Sequence, residues 1–186
     1  MFLRFKGSHG LAAFCGLAIA CAPQSNTSST AETAAPTPAA GIQVADAGPM
    51  AGVLALHNRL RAQHCVPALA WSDRLAQTAQ AWADRCVFEH SNGNLGENLA
   101  SGTAGAFSPE SHVQSWYDEI SSYDFATGQS RDGQAVGHFT QVIWAETTQV
   151  GCGWARCGGE EMLVCNYAPA GNFIGQEAQN VPQQCR

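Results

Sequence analysis

Eight cysteines in 186 residues constrain what this chain can fold into more than any other feature of its sequence. Cysteines at this density form either a disulfide framework in an oxidising compartment or a metal site. No two of them stand at the CxxC spacing that is typical of structural zinc sites. The compartment therefore decides between the two uses, and disulfides are the expectation for an exported chain.

The N-terminus predicts export. Arg4 and Lys6 precede an apolar stretch from Leu11 to Ala20 that is too short to span a bilayer as a permanent helix, and small polar residues follow it. We therefore expect residues 1–20 to be a cleaved signal peptide. This expectation implies an oxidising compartment for the mature chain and disulfides for its cysteines.

Cys21 allows two interpretations of the mature chain, lipid-anchored or freely secreted. Cleavage after Ala20 removes Cys15 and leaves seven cysteines, so one thiol needs a fate other than an intrachain disulfide. Small residues before a cysteine are also the pattern of bacterial lipoprotein signals, and lipidation of Cys21 would anchor the protein to a membrane. The alternative is a freely secreted protein with Cys21 free or cross-linked. We expect an extracellular location or, with the anchor, the cell envelope.

The composition of the mature chain predicts its domain organisation, and its charge argues against one class of partner. Residues 21–48 are rich in Ala, Pro, Ser and Thr and lack apolar periodicity, so we predict a flexible tether ahead of one folded domain over residues 49–186. After removal of residues 1–20, seven basic residues stand against fifteen acidic ones, a net charge of −8. An acidic chain without basic clusters argues against nucleic acid as a partner.

Regularly spaced apolar residues predict three helices in the first part of the domain. The first covers residues 50–63, and the second runs from the N-cap Ser72 to about Phe88. The third follows the cap Ser108, with Pro109 at its first helical position. We expect all three helices to precede any clear strand.

The end of the domain predicts a β-hairpin whose turn is Gly158-Gly159, a pair suited to a two-residue connection. Opposing residues in this register include Cys152 and Cys165, at a pair without backbone hydrogen bonds. Side chains approach most closely there, within reach of a disulfide. The strands are expected over residues 150–157 and 161–168. Helices followed by a hairpin indicate an α+β fold.

The remaining cysteines need partners outside the hairpin. Strand alternation sends Cys157 to the face opposite Cys152. Cys86, on the second helix, is the favoured partner because the bare face of the sheet needs a helix packed on it. Cys65 is then left to form a disulfide with the C-terminal Cys185. A zinc site is the competing use of these cysteines.

Four motifs together resemble one known family. Two of them are short, and the last two are long and nearly complete. The chain resembles the CAP superfamily, which comprises cysteine-rich secretory proteins, antigen 5 and pathogenesis-related proteins. The motifs stand in the family's order at His57-Asn58-x-x-Arg61, Gly96-Glu97-Asn98-Leu99, residues 137–144 (GHFTQVIW) and residues 163–173 (LVCNYAPAGNF).

The resemblance implies both a fold and a site. Members of this family form a three-layer α-β-α sandwich, in which disulfides fix a small, largely antiparallel sheet between helices. The family also has a central cleft with two histidines and two acidic residues. The matching positions in this sequence are His90, Glu97, Glu119 and His138.

Two imidazoles and two carboxylates in one cleft suit two different uses. Neutral His90 and His138 can ligate a divalent cation such as zinc, while the carboxylates accept the second ring N–H and fix the tautomer. Catalytic zinc normally has three protein ligands, so two histidines undersupply it. The alternative is a hydrogen-bonded network that requires no cofactor.

Three functions follow as hypotheses. The favoured one is a non-enzymatic binding module that takes a small hydrophobic or lipid ligand through the cleft, as the resemblance implies. The second is a metal-assisted hydrolase, with Glu97 or Glu119 as general base and Ser91 as the candidate nucleophile. The third is a tethered surface protein that contacts a partner.

Residues outside the cleft receive simpler interpretations. His57 and Asn58 are expected to be structural, with their polar ends bonded to loop backbone. His64 and His112 lack motif context and are expected at the surface. Some relatives carry a sterol-binding loop at the segment that corresponds to residues 121–137. That segment turns polar here after two aromatic residues, so sterol specificity is not expected.

Overall fold

The computed structural model describes residues 50–186, so the expected signal peptide, the tether and Cys21 lie outside the described residues. No helix in this range is long and apolar enough to cross a membrane. The helices are α1 (Ala51–Gln63), α2 (Asp73–Ala83), α3 (Pro109–Asp118), α4 (Gly137–Ile143) and α5 (Glu177–Asn180). The strands are β1 (Ala70–Trp71), β2 (Gly96–Thr103), β3 (Tyr123–Asp124), β4 (Gln129–Ser130), β5 (Gln149–Cys157) and β6 (Glu160–Ala168).

The main sheet lies between two helical layers. Its strand order is β1-β5-β6-β2, with β1 parallel to β5 and the other neighbours antiparallel. One face packs against α1, α3 and α4 in the larger apolar cluster. The other face packs against α2 in a smaller cluster that includes Ala79, Leu99 and Val164. The expected α+β class and three-layer α-β-α sandwich are confirmed.

The C-terminal hairpin has the register that its glycines predict. Cys152 lies directly opposite Cys165, with Cα atoms 4.1 Å apart and a disulfide between them. Gly158 adopts a φ of +69°, a backbone conformation that favours glycine at the turn.

Two further disulfides join distant parts of the chain. One links Cys86 after α2 to Cys157 at the end of β5. The other links Cys65 after α1 to Cys185, 120 residues later. All three pairs are those that the sequence predicts, and they connect the helical layers and the C-terminus to the rest of the domain.

Two expectations about the helices and strands are wrong. One concerns the end of the second helix, and the other concerns the order of helices and strands. Helix α2 ends at Ala83 rather than near Phe88, because the chain turns through Cys86, whose φ is +56°, to reach its disulfide partner. Strand β2 lies between α2 and α3, so the strands do not all follow the helices. Its adjacent apolar residues Leu99 and Ala100 are buried on opposite faces of the sheet, and the rest of the strand has no alternating apolar pattern.

Two glycines allow α2 to lie directly on β5. A Cβ atom at Gly151 or Gly153 would overlap backbone atoms of α2. This closeness lets the Gln80 side chain donate to the Trp154 carbonyl at 2.9 Å and accept from the Trp154 N–H at 3.0 Å. Because β1 pairs only with the start of β5, Gln80 supplies the hydrogen bonds that a neighbouring strand would give at Trp154.

Polar residues of α1 hold loops against the core. Asn58 accepts from the Leu69 N–H at 2.7 Å and donates to the Leu69 carbonyl at 3.0 Å, which is the structural role expected for it. Arg61 is fully buried and donates to backbone carbonyls only. Its acceptors are the carbonyl oxygens of Pro67, Val142, Trp144 and Thr147.

The expectation that His64 and His112 lie at the surface is wrong. His64 is 1% exposed and bonds to the Pro182 carbonyl and the Tyr117 hydroxyl. His112 is 6% exposed and packs near the rings of Phe107 and Trp154. Burial lowers the pKa of both imidazoles, which favours their neutral form.

Candidate functional site

The four expected cleft residues come from four elements that meet near the start of β2. His90 lies in the loop after α2, Glu97 is the second residue of β2, Glu119 directly follows α3, and His138 is the second residue of α4. Three of them line one hollow of about 260 Å³, and Glu119 contacts His138. The described lining residues are His90, Glu97, Asn98, Ala135, Gly137, His138 and Asn172.

The first imidazole–carboxylate pair is His90 with Glu97. His90 Nδ1 lies 2.9 Å from Glu97 Oε1, and the same oxygen accepts the Ser91 backbone N–H at 2.8 Å. The Glu97 side chain is 6% exposed and that of His90 is 61% exposed. The carboxylate is therefore fixed within the protein, while the imidazole it holds faces solvent.

The second pair is His138 with Glu119. Glu119 Oε1 lies 2.6 Å from His138 Nδ1, and Oε2 accepts the backbone N–H groups of His138 and Phe139 at 3.0 and 3.1 Å. These N–H groups belong to the first turn of α4, where backbone donors lack partners within the helix. Glu119 thus caps the helix and orients the imidazole that the helix carries.

Both carboxylates select the same tautomer of their histidine. An ionised carboxylate only accepts hydrogen bonds, so the ring proton lies on Nδ1 of His90 and of His138. The lone pair of each neutral ring then lies on Nε2. Neither Nε2 atom has a hydrogen-bond partner among the described residues, so both are available to a ligand.

A buried chain of hydrogen bonds joins the cleft to α1. Asn98 donates to the His138 carbonyl at 3.1 Å and contacts the Tyr167 hydroxyl at 3.4 Å. His57 Nδ1 donates to the Val53 carbonyl at 2.8 Å, so its Nε2 accepts from the Tyr167 hydroxyl at 2.9 Å. Burial lowers the pKa of His57 to about 4 and raises that of Tyr167, which keeps both groups uncharged. His57 is therefore structural, although its partners are not loop backbone.

Two asparagines that shape the cleft had no role predicted from the sequence. Besides Asn98, Asn172 accepts from the Thr140 hydroxyl at 2.7 Å and donates to the Gly137 carbonyl at 2.8 Å, which holds its loop against α4. Both asparagines stand inside the quoted motifs, and this position was the signal that could have identified them. An aromatic residue completes the surroundings, because the Trp116 ring stacks on His138 with centroids 6.0 Å apart.

A second hollow of about 230 Å³ adjoins the first. His90, Glu97 and Asn172 line both hollows. Ser91, the candidate nucleophile, lines the second hollow. Its backbone N–H contacts Glu97, whereas its hydroxyl has no hydrogen bond to a base within the described range.

The donor set fits a divalent cation with two protein ligands. A metal-bound histidine usually donates its other ring N–H to a carboxylate or a carbonyl, as His90 and His138 do here. Residues 50–186 contain no cluster of three or more His, Cys, Asp or Glu side chains that could hold a metal. The remaining coordination positions would therefore come from water or from a bound ligand.

Comparison with known proteins gives a clear relationship. The sequence model of the cysteine-rich secretory protein family matches residues 54–167. Repressed by EFG1 protein 1 of Candida albicans is 42% identical over 147 residues, which are 75% of this chain and 51% of that protein. Pathogenesis-related leaf protein 6 of Solanum lycopersicum is 44% identical over 128 residues, 66% of this chain and 79% of that protein. The chain thus spans about half the length of the fungal relative.

Solved structures agree with the fold. Schistosoma mansoni venom allergen-like protein 4 aligns with a TM-score of 0.62 over 75% of this chain and 96% of that one, at 23% identity. The structure of NaASP2 with Zn2+ aligns with a TM-score of 0.57 over 72% of this chain and 84% of that one, at 25% identity. All four cleft residues lie within the range that the family model matches. The chain therefore belongs to the cysteine-rich secretory protein, or CAP, family.

Proposed function

We propose that this chain is an exported binding protein whose cleft holds a divalent cation between His90 and His138, with a small polar ligand or water completing the coordination. One observation carries the proposal: His90 and His138 line the same hollow, and each gives its Nδ1–H to a carboxylate and keeps an unbonded Nε2. The carboxylates also supply negative charge beside the cation, which favours its binding.

Two further observations support the proposal. The crystal structure of NaASP2 is one with Zn2+, and that protein is 25% identical to this chain over the aligned part. Three disulfides between separate segments of the chain are typical of an oxidising compartment outside the cytosol. Export is part of the proposal.

The cleft suits a hydrophobic ligand poorly. Its described walls are two imidazoles, a carboxylate and two asparagine side chains, with Ala135 and Gly137 as the remaining lining residues. The aromatic residues of segment 121–137 are not free to bind a ligand either, because Tyr123 is 1% exposed and Phe125 packs against the core. A lipid ligand would need another site.

An apolar hollow of about 440 Å³ lies elsewhere and favours lipid binding as a second candidate function. The described residues that line it are Met50, Gln80, Pro109 and Trp154. Three of these present apolar surface, and the hollow is large enough for part of an acyl chain. We propose that a hydrophobic ligand would occupy this hollow and not the His/Glu cleft.

The hydrolase hypothesis has less support from the geometry. A serine nucleophile needs a base within hydrogen-bond reach of its hydroxyl. His90 gives its Nδ1–H to Glu97, and the Ser91 hydroxyl contacts neither of them within the described part of the chain. The tethered surface protein remains a hypothesis that depends on residues 21–48, outside the described residues.

Zinc titration tests the cation site. By isothermal titration calorimetry, we expect the purified protein to bind one equivalent of Zn2+, and the His90→Ala/His138→Ala variant to lose this binding. His112→Asn is the matched control, because it removes an imidazole that lies outside the cleft. Equal zinc binding by the wild type and the double variant would refute the cation site.

Lipid extraction tests the apolar hollow. Met50→Glu places a charge at the wall of the hollow, so we expect the variant to lose co-purifying or added fatty acid that the wild type and Met50→Leu retain. The His90→Ala/His138→Ala variant should retain the lipid. Retention by Met50→Glu together with loss by the double histidine variant would place the lipid in the cleft.

A further inference from the structure

Two buried side-chain oxygen atoms on directly opposed residues lack hydrogen-bond donors. Glu97 Oε2 and Asn166 Oδ1 each have no partner among the described residues. Glu97 on β2 lies directly opposite Asn166 on β6. Both side chains point to the α2 side of the sheet, because Leu99 and Val164, two residues along each strand, pack in the cluster under α2.

Both oxygens are shielded from water, and the residue on the other side of Asn166 offers no side chain. Asn166 is 2% exposed and the Glu97 side chain is 6% exposed, so bulk water does not solvate either oxygen. On the other side of Asn166, the directly opposed residue is Gly151, which has no side chain and is covered by the backbone of α2. Two buried acceptors without a donor are unfavourable, because each loses its hydration without compensation.

We infer that the Asn166 amide donates from Nδ2 to Glu97 Oε2 and that Asn166 is a positioning residue for His90. The oxygen and nitrogen of an amide are distinguished by their hydrogen-bond partners. A half-turn of the Asn166 amide exchanges these atoms and gives Glu97 Oε2 the donor it lacks.

Through Glu97, Asn166 on β6 therefore fixes the orientation of His90 in the cleft. Asn166 holds Glu97 Oε2, Glu97 Oε1 holds the Nδ1–H of His90, and His90 therefore keeps its Nε2 directed away from the carboxylate. Only the last step, in which this Nε2 binds a cation, rests on the proposed function. The tautomer of His90 depends on Asn166 whether or not a metal is bound.

The wild-type protein provides the first test. In a crystal structure, we expect one amide atom of Asn166 within about 3.2 Å of Glu97 Oε2, the usual limit for such a bond. A bridging water molecule between the two groups, or a separation that excludes a hydrogen bond, would overturn the inference.

The second test removes the donor with Asn166→Leu. We expect the ¹⁵N NMR signals of the His90 ring to move from the Nδ1–H tautomer toward a mixture of tautomers. Zinc affinity should fall by about tenfold, as is typical when a group that orients a ligand is lost. Val164→Ala is the matched control, because Val164 lies on the same face of β6 but opposite Leu99.

The outcomes separate the two proposals. An unchanged His90 tautomer in folded Asn166→Leu would overturn the positioning role, whatever the zinc affinity. A tautomer change in Val164→Ala as well would also overturn it, since loss of packing alone would then suffice. A wild-type protein that binds no zinc would refute the proposed function, while the ring signals would still decide the role of Asn166.

Discussion

Three histidines share one hydrogen-bond pattern at Nδ1 and differ at Nε2. They are His57, His90 and His138. In each residue Nδ1 contacts an oxygen acceptor, a backbone carbonyl for His57 and a carboxylate for the other two. The difference lies at Nε2, which accepts from Tyr167 in His57 and has no partner among the described residues in the cleft histidines. The structural and the cleft histidines also differ in burial. His57 is fully buried, whereas the His90 side chain is 61% exposed.

The depressed pKa of His57 predicts acid sensitivity. Its pKa falls from an ordinary value of 6.5 to about 4 on folding, chiefly through burial. Between these values the unfolded chain binds the proton and the folded chain does not, so stability is full above pH 6.5 and declines as the pH falls toward 4. The loss from this residue is about 3 kcal/mol.

Denaturant unfolding at several pH values measures this effect. We expect His57→Gln, which keeps a hydrogen-bonding side chain but cannot titrate, to lose less stability between pH 6.5 and 4 than the wild type. His90→Gln is the control at an exposed histidine. If His57→Gln follows the wild-type pH dependence, His57 does not cause the acid sensitivity.

The sequence identified cleft residues better than buried polar ones. Glu97 and His138 stand inside the quoted motifs, and His90 and Glu119 were expected from the positions that match the family outside those motifs. His64 was predicted wrongly, since one of its hydrogen-bond partners is the Pro182 carbonyl, 118 residues away. Neither periodicity nor local motif reveals a partner that only the tertiary fold provides.

At the scale of elements, the position of α2 on β5 depends on glycine. A Cβ at Gly153 would overlap the backbone of Gln80 and Ala79, which cannot move without moving the helix. We therefore expect Gly153→Ala to destabilise the protein by about 2 kcal/mol, as overpacking does in other cores.

Urea unfolding with a glycine control tests this claim. Gly159→Ala is the control, because a Cβ at this turn position meets no atom within 4 Å. It should change stability by less than about 0.5 kcal/mol, as for other unconstrained surface substitutions. Equal effects of the two substitutions would show that close approach of α2 is not what Gly153 provides.

Elements with a strong local signal were predictable, and the others were not. The hairpin register followed from two glycines and two cysteines, and the start of α3 from Ser108, whose hydroxyl accepts from Ser111 N–H at 3.2 Å. Strand β2 gave no signal, since it lies at the sheet edge with helices covering both faces and carries few apolar residues. Its pairing with β6 is set by the tertiary fold.

At the scale of the whole domain, the disulfides and the cleft occupy different places. None of the six paired cysteines is among the described residues that line the His/Glu hollow. The four cleft residues depend instead on α3, α4, β2 and the loop after α2, which the cross-linked layers hold together. This arrangement suits the binding role that we propose for the cleft.

Anomalous X-ray diffraction at the zinc edge, from crystals grown with one equivalent of ZnCl2, tests the cation site most directly. We expect one strong peak about 2.0 to 2.1 Å from Nε2 of both His90 and His138, the usual zinc–nitrogen distance. Ordered imidazoles with no peak between them, or a zinc ion bound only elsewhere, would contradict it.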